Sequence, residues 1–79
     1  MTMEQIIELA YAMGIGHIGI QVLRLVDVTG LPAQQIPIII RAVAQICTGH
    51  WAEGLAALAA TDLHADQILR ALAQVPTST

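Results

Sequence analysis

This chain has no phenylalanine and no lysine, one cysteine, and only two aromatic residues, Tyr11 and Trp51, among its 79 residues. Each shortage excludes something. Without lysine, the positive charge rests on Arg24, Arg41 and Arg70 against six carboxylates, for a formal net charge of −3. Nucleic-acid affinity draws heavily on neutralising phosphates, so this balance disfavours a nucleic-acid partner, and an anionic membrane surface as well. The single cysteine, Cys47, excludes an internal disulfide. Long apolar runs are also missing. Arg24 and Asp27, the segment Pro32 to Gln35, and Arg41 interrupt the richest stretches, so no transmembrane segment is expected. The opening MTMEQIIELA lacks the basic start and long apolar stretch of a secretion signal, which makes a cytoplasmic location the expectation.

What is abundant is aliphatic. Hydrophobic residues make up 56% of the chain and charged residues 11%, where a typical globular domain carries about 25% charged residues. The length suits one small helical domain, expected over residues 1–75, with a flexible C-terminal tail at 76–79. So few charges cannot coat a small monomer. Either apolar surface stays exposed or another molecule covers it.

The apolar spacing is helical throughout. Thr2 and Gln5 fit a capping box, and Met3, Ile6, Ile7, Ala10 and Met13 follow at i, i+3, i+4. Gly14 and Gly16 end that helix. A second is predicted from about His17 to Val28, with Ile18, Val22, Leu25 and Val26 on one stripe and Ile20 and Leu23 on another side. Gly30 is placed to end it in a left-handed conformation. The third is predicted over about 33–47, with Ile36, Ile39, Ile40, Val43 and Cys47 on one face. The fourth is predicted over His50–Ala60, with Trp51, Leu55, Leu58 and Ala59 inward, and the fifth from Leu63 to about Gln74, capped by Asp62. The fold class that follows is all-α: a small bundle of four or five short helices arranged as antiparallel helical hairpins.

MTMEQI, LPAQQI and LHADQI each lead into an apolar helix, and IIRAVAQ echoes ILRALAQ, the pattern of a weak internal repeat. The first unit resembles the repeat of transcription-activator-like effectors at Glu4, Gln5, Ala10, Gly14, Val22 and Leu25, over about a third of the chain. That resemblance implies two helices around a short loop, with Ala12 and Met13 as the base-reading pair. Gly16 stands where the family usually has lysine, and the later units lose the loop, so the family's function is not carried over.

GIGHIGIQ contains G-x-G-x-x-G, but a dinucleotide fingerprint needs a strand before the glycines and an acidic residue ~20 positions on. Here a capped helix is predicted before Gly14, and glutamines, Gln34 and Gln35, stand near the acidic position. The glycines read better as a tight reversal, with Gly19 admitting a neighbouring helix. His17, His50 and His64 stand at predicted helix starts with no local metal-ligand spacing. Cys47 reads as a small packed residue. The carboxylates are scattered, and Ser78 is the only serine. No catalytic residue, cofactor or metal is expected.

The function expected is therefore non-enzymatic association, as a homo-oligomer or with a protein partner in a larger assembly. The predicted contact surface is the second helix, through Ile18, Ile20, Val22 and Leu23. Ile36, Ile39 and Ile40 of the third come next, with Trp51 serving either the core or the interface. The alternatives are a nucleic-acid-binding helical module, using the three arginines and the Gly14–His17 loop, and a small protein bound at a membrane surface.

Overall fold

Thr2 opens the first helix as predicted: its N–H donates to Gln5 Oε1 at 2.9 Å, and its Oγ1 accepts from the Gln5 N–H at 3.2 Å. This computed structural model describes residues 2–75, so the expected tail at 76–79 lies outside the described residues. The elements are α1 (Met3–Ala12), α2 (His17–Leu25), a 3₁₀ turn (Ala33–Gln35) running into α3 (Ile36–Cys47), α4 (Trp51–Ala59) and α5 (Ala65–Gln74). Among the described residues there is no strand.

The tight reversals after α1 and α3 rest on Gly14 and Gly49, whose φ angles of +81° and +93° are costly for residues with a side chain. Pro37 falls within the first two positions of α3, where a missing N–H costs nothing.

Two helix ends differ from the sequence reading. α2 stops at Leu25, not near Val28, and Val26 is already extended. The reason is local competition: Asp27 Oδ1 accepts from the Thr29 hydroxyl at 2.6 Å and the Thr29 N–H at 3.1 Å, giving the backbone an alternative to another helical turn. Those bonds hold the Asp27 carboxyl below its ordinary 3.8. The resulting stabilisation is complete above that value and is lost as pH falls through the folded-state pKa. Gly30 has no positive φ and does not end the helix. α5 starts later than predicted, with His64 at its N-cap position.

Asp62 joins the ends of two distant elements instead of capping α5. Its N–H donates to Gln35 Oε1 at 2.9 Å, and its carboxylate accepts from Gln35 Nε2 at 3.4 Å. A hydrogen bond of this kind contributes about 0.5–1.5 kcal/mol net. Gln35→Ala is therefore expected to lower stability by about 1 kcal/mol, measured by urea unfolding. A midpoint equal to wild type would mean that this link between the 3₁₀ turn and the start of α5 adds nothing.

α3 lies at the centre. It pairs closely with α4 across the Thr48–His50 turn and also touches α1 and α2, while α5 packs onto α2 as well as α4. The last helix thus closes back on the second rather than only extending the stack. Ile36, Ile39, Ile40, Val43 and Ile46 of α3 meet Ile20, Val22 and Leu23 of α2, Leu58 of α4 and Ile68 of α5 in one apolar core. Among the described residues no polar side chain is buried in it. The chain exposes 4772 Å², near the ~4,600 Å² typical of a compact monomer of this mass.

Candidate interaction surface

The core absorbs most of the predicted contact residues. Ile20, Val22 and Leu23 on α2, and Ile36, Ile39 and Ile40 on α3, are at most 2% exposed. These six cannot form an outer face, because α3 and α5 cover that side of α2 and α2 and α4 cover that side of α3. Ile18 and Trp51 remain outside, 39% and 44% exposed.

Other large apolar side chains share the outside with them: Tyr11, Met13, Leu25, Ile38 and Leu69. Met13 and Leu25 belong to the apolar stripes read from the sequence and are exposed where most of their stripe-mates are covered. Leu25 sits in the last turn of α2, beside the break at Val26, and Met13 is the C-cap residue of α1. Ile38 has a signal in the sequence. It lies three residues before Arg41, on the side away from Ile36, Ile39 and Val43, and an arginine there marks the solvated side.

Two of the apolar surface residues, Met13 and Ile18, border one groove, where the α1–α2 turn meets α3. One half, of about 280 Å³, is lined by Met13, Ile15, Ile40, Arg41 and Ala44. The other, of about 330 Å³, runs past Gly16, His17 and Ile18 to Cys47 and Thr48. Ile15 and Ala44 are common to both halves. Ile15 escaped the sequence reading because it belongs to neither helix. It is held by its N–H, which donates to the Ala10 carbonyl at 3.0 Å, and it fills the space beside Gly19, where an added Cβ would lie 2.6 Å from Ile15 Cγ1.

The polar groups at this groove are few. His17 Nε2 accepts from Gln21 Nε2 at 2.7 Å, one turn along α2. Thr48 Oγ1 donates to the Ala44 carbonyl at 2.9 Å, closing the end of α3. Burial pushes the half-buried Cys47 thiol above its ordinary 9.0. Cys47 is thus a thiol at neutral pH. The contribution of that neutral form to stability is complete below 9.0 and declines as pH rises through the raised folded-state value.

The surface beyond α1 differs in character. Glu4, Glu8 and Arg24 line a depression of about 410 Å³ with Met3 and Ile7, so its walls carry both signs of charge. Leu25 lies between two further hollows, one bordered by Arg24 and Gln21, the other by Arg70 and Asp27. The three arginines therefore do not line one groove: Arg41 borders the groove on α3, while Arg24 and Arg70 lie near Leu25. His50 and His64 are N-cap residues of α4 and α5, each just outside the helix that the sequence reading began at or before it, and neither makes a side-chain capping bond. A helix, α1, precedes Gly14, where a dinucleotide fingerprint has a strand. Among the described residues no helix is long and apolar enough to cross a membrane.

Comparison with known proteins found no counterpart: no family model, no curated protein and no solved structure matches this chain.

Proposed function

We propose that this chain is a non-enzymatic association module that pairs with copies of itself through apolar side chains left outside a filled core. One observation carries the reading. The helices already bury an apolar core, and among the described residues seven large apolar side chains still face outward on a chain with 11% charged residues. Single exposed apolar residues need no explanation, but seven on one small chain, two of them bordering a groove whose walls carry one charge, Arg41, supply what a contact surface requires.

Removing apolar surface from water contributes about 25 cal/mol per Å², before the loss of translational freedom and side-chain ordering are subtracted. A standard interface takes about 800 Å² from each partner, roughly a sixth of the 4772 Å² exposed here. That is nearly the whole of the broadest face, 34 × 25 Å. A two-fold dimer using that face is the simplest arrangement, because one patch then serves both partners.

Sedimentation velocity across a concentration series tests the proposal. The mean mass is expected to rise above the 8.4 kDa of one chain with concentration. A single 8.4 kDa species up to high micromolar concentration would overturn it.

A further inference from the structure

We infer that the groove between the α1–α2 turn and α3 is the seat of Trp51 from a second copy, and that two chains exchange this side chain reciprocally. The inference rests on the self-association proposed above and adds the occupant. A two-fold interface needs the projection and the recess on the same patch, and the chain brings them close together in sequence. The groove ends at Thr48, and Trp51 follows after two intervening residues, at the first position of α4. The turn between them is fixed, with the His50 N–H donating to the Gln45 carbonyl at 2.7 Å. Trp51 stands seven residues before the buried Leu58 and so shares its side of the helix. It is nonetheless left 44% exposed.

Size and charge both favour a second copy. Trp51 is the only tryptophan in the chain, and of the roughly 150–250 Å² that an aromatic buries in full, somewhat under half is still open here. The nearer half of the groove encloses about 330 Å³ between Ile18, Ala44 and Cys47. Arg41 stands at the far end of the groove, and Glu53 stands two residues after Trp51 in the first turn of α4. Exchange brings the carboxylate beside each entering indole toward the guanidinium of the receiving groove, twice per dimer. Glu53 can turn to meet it, since its carboxylate is held only by a 3.3 Å contact from Gln45 Nε2 at the surface.

The experiment follows tryptophan emission and sedimentation together over one concentration series. Emission is expected to move to shorter wavelength as mass increases, because the only indole leaves water. Trp51→Ala, with circular dichroism confirming its helices, is expected to weaken the dimer on the order of tenfold or more. Arg41→Glu and Glu53→Arg should each weaken it, and the double exchange should restore it. Ile18→Gln, which alters the groove wall and keeps the indole, should weaken the dimer as well, and it replaces Trp51→Ala as the test if that variant fails to fold. Oligomers that form with no shift in emission, or that persist undiminished in the Trp51 and Ile18 variants, would overturn the exchange and leave self-association standing. A single chain at every concentration would overturn both.

Discussion

Gly54→Val is expected to lower the melting temperature by about 12–24 °C, the effect of losing about 3 kcal/mol in a domain of this size. A Cβ at Gly54 would lie 2.6 Å from Ile46 Cγ1 and 2.8 Å from the Ala42 carbonyl oxygen. The isoleucine can shift, but the carbonyl belongs to the backbone of α3 and is fixed by its helix. Overpacking of this kind typically costs about 1–3 kcal/mol, and the upper end applies where the obstacle cannot retreat. A glycine inside a helix is itself unfavourable by about 1 kcal/mol relative to alanine. Its presence in α4 is explained by the gain in close packing against α3. The exposed neighbour Ala52 provides the comparison: Ala52→Val should cost under about 1 kcal/mol, chiefly in helix propensity. Equal melting temperatures for the two variants would mean that α4 does not cross α3 at Gly54.

Ile39→Ala is expected to cost about 2–5 kcal/mol, and Ile38→Ala less than about 1 kcal/mol, although the two isoleucines are adjacent. Ile39 is 0% exposed within the core and Ile38 is 40% exposed. Truncating the first removes buried methyl groups and leaves a cavity. Truncating the second removes atoms that already touch water. A domain of this length has roughly 4–12 kcal/mol of stability in total, so the Ile39 variant should be close to unfolding at 37 °C while the Ile38 variant is not. Denaturant titration of the pair decides it, and equal losses would show that α3 is rotated about its axis relative to this structure.

How far the sequence could be read is clearest on α2 and α3. On α3 the spacing Ile36, Ile39, Ile40, Val43 is one stripe, and Arg41 marks the opposite side, so its buried face was legible. On α2 the apolar residues surround much of the helix. The stripe through Ile18, Val22, Leu25 and Val26 looks as good as the side with Ile20 and Leu23, and the structure buries Ile20 and Leu23 together with Val22 and Val26, leaving Ile18 and Leu25 outside. Nothing within α2 distinguishes them. The same ambiguity misplaces the contact surface: six of its eight residues are strong apolar candidates because they are core residues. Of the groove, the sequence pattern singles out only Ile18 as a contact residue on the surface. Ile15, Ala44 and Cys47 line it because two elements distant in sequence meet there.

By itself, the order of residues determined the helical class, a count of four or five helices, the cap at Thr2 and the reversal at Gly14. Those depend on interactions within four or five positions along the chain, which a local pattern records. It also determined a shortage of charge that leaves aliphatic surface facing outward. Only the tertiary structure decided which side of α2 is covered, that Asp62 reaches Gln35, that α4 approaches α3 at Gly54, and where the uncovered residues collect. Burial depends on what comes to lie opposite a face, and α5 reaches α2 from about forty positions away along the chain.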